Sequence, residues 1–396
     1  MAYEFSYLFD FRGGMNSSSS PDNLLDFESQ LMRNVELMSR GGFRRRYGIS
    51  EYKNLGAYSR VDRLFEFEYI NNGTRTLQKL ALAGGKLIRL DTDEVLKTGL
   101  GDALDYEIYK DKMYILSNGM YLVYDGTTVT DVTSSIENSL LASIKKCRYI
   151  EQKGERLFAS GNPEDPNALY FSEVGKPSDW SGTAGNPIMA ISDDADKITG
   201  LREFNGALLV FKTRSVYAWY GSNPLTDVVF SRLNVHAGTM SYRSIAYVNN
   251  NLVFLGGDGV YALFGTYKDV VSTRKLSNNI KELISSVNHS EPYYKNSPCA
   301  VYYDGKYMLS VSTGEEGKNN KVYVLFTDIY TDAGGELEPW VVYDGWNISD
   351  FLYSLDGELY SASSIDGKIH KHEKIFNDLG KGIEVEVLSK PLALGA

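Results

Sequence analysis

Apolar and aromatic residues along this chain come in short runs such as "KMYILS", "YLVYDG", "ALLVFK", "NLVFLGG", "GVYALFG", "KYMLSVS" and "KVYVLF". They read as strands of the usual length, about five residues. Turn signals break them. Asp-Gly occurs six times, at Asp125-Gly126, Asp258-Gly259, Asp304-Gly305, Asp344-Gly345, Asp356-Gly357 and Asp366-Gly367. Asn-Gly adds Asn72-Gly73, Asn118-Gly119 and Asn205-Gly206. Both dipeptides suit two-residue hairpins because their residues tolerate positive φ.

The runs group into units. The clearest pair is "ITGLREFNGALLVFKTRSVYAWYGS" from Ile198 and "YRSIAYVNNNLVFLGGDGVYALFGT" from Tyr242. Each reads strand, Asn-containing turn, strand, turn, strand. Their offset of about 44 residues lies in the range of propeller blades, roughly 40–50. Weaker copies fall at roughly 60–100, 104–132, 147–175, 297–345 and 348–374, the same unit size. The expected fold is therefore an all-β β-propeller, with seven blades fitting and six or eight also compatible. A blade alone cannot cover both faces of its sheet, and radial packing does so. Residues 1–59 read as an extended, ring-closing segment, 60–374 as the propeller, and 375–396 as a C-terminal strand that either closes the propeller or is truncated from a longer chain. The opening "YEFSYLFDF" is expected to help close the ring, and the end at "EVEVLSKPLALGA" points to a strand cut from a longer chain. Short helices are expected at "TSSIENSLLASIKK" (Thr133–Lys146) and "SNNIKELISSVN" (Ser277–Asn288). A third fits "SPDNLLDFESQLMRN", with Pro21 at the first helical position.

Composition supports the β reading: 29 Tyr and 37 Gly stand against only 10 Pro in 396 residues. Tyr suits pleated, half-buried surfaces and Gly supplies tight turns. The net charge of −10 argues against a general nucleic-acid-binding surface, yet suits a wall that DNA passes without sticking. Cys147 and Cys299 are the only cysteines, which supports neither a disulfide framework nor a Cys-based metal site. No apolar run approaches the ~18 residues of a membrane span. The N-terminus lacks the layout of a signal peptide, so a reduced, cytoplasmic origin is expected.

No enzyme signal emerges, and no cofactor is expected. Phosphate-loop, nucleophile-elbow and zinc-protease motifs are absent. Asp193, Asp194 and Asp196 in "ISDDADKIT" could form a calcium loop, but the EF-hand glycine and closing Glu are missing, and a solvated loop is the simpler reading. His370 and His372 in "KIHKHEK" share a strand face without an evident third metal ligand, and an exposed strand is expected there. Arg44, Arg45 and Arg46 form the densest basic run, able to meet DNA phosphates or an acidic partner, but a solvated turn whose arginines form ion pairs within the chain is the simpler reading. Surplus tyrosines such as Tyr293 and Tyr294 could stack on sugars.

Two stretches carry a family resemblance. "FDFRGGMNSSSSPDNLLDFESQLMRNVELMSRGGFRRRYG" is similar to the N-terminal segment of phage tail-nozzle and packaged-DNA-stabilisation propellers. Gly13, Gly14, Asn16, Asn34, Gly42 and Arg46-Tyr47-Gly48 hold that pattern, with Tyr47 where the family usually has Pro. "RLFASGNPEDPNALYFSEVGKPSDW" resembles the family's strand followed by Ser-x-x-Gly-x-Pro-x-x-Trp. "HAGTMSYRSIAYVNNNLVFLGGDGVYAL" is the most family-like run. The resemblance covers residues about 5–290 well and the rest loosely, and implies a structural virion protein at the neck or tail. Its expected partners are other virion proteins, in a homo-oligomeric ring that helps retain and conduct packaged DNA. The alternative is a tail-tip or baseplate protein that binds a host glycan.

Overall fold

The computed structural model describes residues 10–71, 73–101, 104–133, 141–180, 188–190, 196–227, 229–235, 237–266, 269–288, 298–314, 318–330 and 337–391. Among them, seven sheets of four or more strands follow one another along the chain. Their first strands are Arg63–Asn71, Leu104–Tyr109, Tyr149–Lys153, Ile198–Phe204, Ala246–Val248, Cys299–Tyr303 and Ile348–Tyr353. Most successive first strands touch, as Tyr149–Lys153 does with Ile198–Phe204, and Ile348–Tyr353 returns to Arg63–Asn71. They form the inner wall of a β-propeller. No helix among the described residues is long and apolar enough to cross a membrane.

The sheets are held face to face by apolar layers. Phe65, Phe67 and Leu80 of the first sheet pack with Leu104, Met113 and Ile115 of the second. Leu209 and Phe211 of the fourth pack with Leu252 and Phe254 of the fifth. Each fully buried side chain of this size contributes about 1.5–3 kcal/mol relative to exposure. An isolated sheet would leave these layers in water, so the ring must close.

Closure joins the two ends of the chain. The last sheet takes Ile348–Tyr353, Leu359–Ser363 and Lys368–Glu373 from its own repeat. Its next strand is Gly48–Asn54, antiparallel to Lys368–Glu373. The sixth sheet is extended by Gly14–Met15, Glu28–Arg33 and Glu386–Ser389 beyond Trp340–Tyr343. Sequence reading placed ring closure on "YEFSYLFDF", most of which lies outside the described residues; the strand that closes the last sheet is Gly48–Asn54.

The N-terminal signature residues brace this junction. Asn34 (φ 58°) accepts at Oδ1 from Arg46 Nε at 2.9 Å and Asp344 N at 2.8 Å, and donates Nδ2 to Glu384 O at 2.8 Å. Asn16 Oδ1 accepts from the backbone of Ser18 and Ser19, while its Nδ2 donates to Glu28. At Gly48 an added Cβ would fall 1.8 Å from Asn377 O. That position requires glycine because two backbones meet there.

The loop ending at Trp180 ties the second sheet to the third. Ser172 Oγ accepts from Leu157 N at 3.0 Å, and Tyr121 Oη donates to Pro177 O at 2.7 Å. Trp180 is fully buried, edge-on to Tyr121. The Ser-x-x-Gly-x-Pro-x-x-Trp pattern is thus a packing device.

Local expectations fared unevenly. Asn118-Gly119, Asn205-Gly206 and Asp304-Gly305 each carry positive φ at both residues and turn tight hairpins. Asp125-Gly126 instead closes by Asp125 Oδ1 accepting from Thr127 and Thr128. The second expected helix is a 3₁₀ turn, Asn278–Ile280, running into Lys281–Ser285. Of the first, only Leu141–Ile144 is helical among the described residues. The third is corrected: Pro21–Asn23 is a single 3₁₀ turn and Glu28–Arg33 is a strand. Pairing with Glu386–Ser389 overrides the helical preference of that segment.

Gly48→Ala is expected to lower the stability of the folded chain by about 1–3 kcal/mol, the usual cost of forcing atoms into a packed site. Urea unfolding followed by tryptophan fluorescence checks this, with Gly382→Ala, whose added Cβ meets nothing within 4 Å and whose φ, like that of Gly48, is not positive, as the comparison without the clash.

Candidate functional site: the axial plug and the acidic cavity beside it

The run "GTMSYRS" enters the axis of the ring. Thr239 Oγ1 donates to Leu255 O at 2.9 Å, Ser241 Oγ to Pro298 O at 2.6 Å, and Ser244 Oγ to Ser241 O at 2.6 Å. All three residues are buried. Their hydroxyls satisfy backbone groups that a loop inside a protein would otherwise leave unpaired, which explains the density of Ser and Thr here. The loop ends in a 3₁₀ turn, Tyr242–Ser244, that aims Tyr242 and Arg243 across the ring.

Those two side chains reach four other sheets. Tyr242 Oη donates to Leu104 O of the second sheet at 3.1 Å, and accepts from Arg63 Nη1 of the first at 2.7 Å. Its ring lies edge-on to Tyr149 of the third, 5.0 Å between centroids. Arg243 pairs with Asp350 of the seventh at 2.9 Å and also donates to Ser349 O. Gly200 in the fourth sheet makes room: a Cβ there would lie 2.8 Å from Tyr242 Cβ.

Asp350 is the hub. It accepts from Arg63 Nε at 2.9 Å and Leu64 N at 3.0 Å, besides Arg243. Burial alone would raise its pKa, but Arg243 and Arg63 outweigh burial and hold it below the usual carboxylate value. Burial opposes the Arg63 charge too, yet Tyr242 and Asp350 keep its pKa raised. Asp105, which accepts from Ile150 N at 3.0 Å, goes the other way: burial raises it despite Arg63.

Further along the inner strands lies a cavity of about 480 Å³ lined by Glu107, Glu151, Glu203, Lys153 and Tyr247. Glu151 accepts from Glu203 N at 2.9 Å and pairs with Arg202 at 3.4 Å. Burial, and then the negative charge of Glu151, push the Glu107 carboxyl up to about 8. Burial likewise raises Glu151, against the pull of Arg202. The pair therefore retains a proton near neutral pH. Among the described residues no group of three or more His, Cys, Asp and Glu side chains is placed to hold a metal ion.

The residues singled out from sequence have different fates. Arg46 is almost completely buried and uses its guanidinium within the fold. It donates to Asn34, Tyr47 O, Asp344 O and both oxygens of Asp378, and lies 4.3 Å over the Trp346 ring. It cannot meet an external phosphate, because its donors are spent on joining the chain ends. Arg44 pairs with Glu36 at 2.7 Å and covers Tyr47, while Arg45 is exposed. Asp196 Oδ2 accepts from Arg214 N at 2.6 Å. Asp193, Asp194, Tyr293 and Tyr294 lie outside the described residues. His370 is buried rather than exposed, and His372 half-buried, because Gly48–Asn54 covers their strand. The axial carboxylates escaped sequence reading because Glu107, Glu151, Glu203 and Asp350 come from four different repeats with no shared local motif.

No protein-family model matches the chain, and no curated protein matches it. Solved structures with a similar fold include PorZ, a surface component of the type-IX secretion system of Porphyromonas gingivalis. It is 14% identical, with a TM-score of 0.47, over 86% of this chain and 39% of that one. Raptor of Chaetomium thermophilum is 10% identical with a TM-score of 0.47, over 85% of this chain and 29% of that one. A luciferin-regenerating enzyme is 12% identical with a TM-score of 0.37, over 87% of this chain and 98% of that one. The chain thus spans well under half the length of the first two. Likeness at these levels carries no conclusion about activity.

Because Glu107 binds its proton more tightly in the folded chain, the fold holds more protons than the unfolded chain between pH 4.5 and about 8. Its contribution to stability therefore falls as pH rises through that window. Glu107→Gln is expected to stabilise the protein at pH 9 by about 1–3 kcal/mol and to change little at pH 4. Urea midpoints of both proteins across that pH range check it; equal midpoints at pH 9 would contradict the burial of that charge.

Proposed function

We propose that this chain is a non-enzymatic structural protein of a bacteriophage neck or tail, assembled in the host cytoplasm and carried in the virion. In this reading it joins other neck or tail proteins in a ring of copies that helps retain and conduct packaged DNA. The observation that carries the proposal is where the resemblance to packaged-DNA-stabilisation propellers falls. Its most family-like run contains the loop that plugs the axis, and its N-terminal signature supplies Asn34 and Arg46 at the chain-end junction. Residues kept for these roles specify a closed, rigid block rather than a reaction.

The plug also decides how such a protein would act on DNA. Tyr242 and Arg63 meet at 2.7 Å across the ring, so no duplex threads a single propeller. DNA would pass a lumen bounded by several copies, each presenting a solid face. The net charge of −10 suits that task, since an acidic wall repels phosphate and does not grip the strand.

Immunogold electron microscopy of purified phage particles, with antibody against this chain, tests the proposal. Label at the neck or along the tail is the expected result. Absence of label from intact particles, or label confined to the distal tip, would overturn it.

A further inference from the structure

A cleft of about 350 Å³ opens between the sixth and seventh sheets, lined by Glu36 of the hairpin Val35–Leu37/Phe43–Arg45 and by Tyr47 just after it. Its size falls at the lower end of small-ligand sites, ~300–1,000 Å³. It lies apart from the axis and uses none of the plug residues.

Its walls are mixed in a particular way. On one side Lys306 Nζ stands 3.3 Å from Glu36 and 2.8 Å from Asp304. On the other, Lys371 pairs with Glu358 at 3.2 Å. Lys306 and Lys371 each already have a carboxylate, so a charged ligand set between them would leave one partner uncompensated in a partly buried site, while Lys374, exposed, adds an ammonium unpaired among the described residues to the lining. A hydroxyl does better, because it accepts from the ammonium and donates to the carboxylate of the same pair. Between the pairs, Met308 and Leu359 join half-buried Tyr47 and Tyr303 to form apolar and aromatic surface. His372 is held neutral there, with burial foremost among the causes.

A separate feature points to a missing partner. Tyr343 lines the cleft and is 2% exposed, and its hydroxyl has no hydrogen-bond partner. Burial, and then the charge of Glu36, raise its pKa, against the pull of Arg46 and Arg44. A buried hydroxyl with no bond made is costly, and a ligand that supplies the bond would recover that cost.

We infer that this cleft binds a neutral pyranose unit of a glycan, with ring C–H groups on the tyrosines and hydroxyls between the two ion pairs. A pyranose presents one apolar face and a rim of hydroxyls, which matches the apolar floor and the paired-charge walls. The site is independent of the virion proposal: a neck protein and a tip protein could both carry it.

The test is saturation-transfer NMR on the full chain with 5–10 mM methyl glycosides of glucose, galactose, mannose and N-acetylglucosamine as probes. At least one is expected to receive saturation, displaced by none of sodium acetate, lysine or glutamate at equal concentration. Tyr343→Phe, which removes only the hydroxyl, is expected to weaken that glycoside about five-fold or more, and Tyr303→Ala to abolish the signal with an unchanged melting temperature. No transfer to any glycoside, displacement by the charged probes, or equal affinity in Tyr343→Phe overturns the inference. Should Tyr303→Ala fail to fold, the Tyr343→Phe comparison decides alone.

Discussion

Everything in this molecule depends on one carboxylate that two arginines share at the centre of a ring. Asp350 belongs to the last sheet, Arg63 to the first, and Arg243 to the turn before the fifth. Their charges are desolvated and would be costly apart; together they fix the relative positions of sheets that belong to separate ladders. Tyr242 extends the same constraint to the second and third sheets. The apolar layers between neighbours supply most of the driving force, but they are pairwise. Among the described residues, it is the plug that connects sheets across the diameter.

The second constraint is circular closure. A ring of sheets has no natural end, and here the chain solves this by returning its beginning to its finish. Gly48–Asn54 adds to the last sheet, while Glu28–Arg33 and Glu386–Ser389 thicken the sixth. Arg46 locks the two additions by reaching Asn34, Asp344 and Asp378 from one buried guanidinium. Such a guanidinium is suited to this because its five donors are fixed in a plane and its charge is permanent. The glycan cleft lies at the same junction, between the two sheets that the chain ends complete.

The propeller was legible because its signal repeats. A strand, turn, strand, turn, strand unit recurs, and each copy confirms the others. The motif that ends in Trp180 was legible as a pattern, and its role in packing needed the structure. What sequence reading missed was long-range pairing. "SPDNLLDFESQLMRN" carries a helix start at Ser20-Pro21, yet its second half pairs with a strand near the far end of the chain. Nothing local announces that partner. Arg44 and Arg46 pair within the chain as expected, but the burial of Arg46 was not legible, since it looks exposed until the chain ends converge on it. The axial carboxylates were invisible because each is one acidic residue in a strand, and only the ring brings them together.

The account holds that Arg243 and Asp350 act as a unit that couples the turn before the fifth sheet to the seventh. A double-mutant cycle with Arg243→Met and Asp350→Leu, read by urea unfolding at pH 7, tests this most directly. The account predicts a single transition in all four proteins and a coupling energy of about 2 kcal/mol or more, with the double variant more stable than the additive expectation. Additivity within about 0.5 kcal/mol would contradict it, and would leave the ring held by its apolar layers alone.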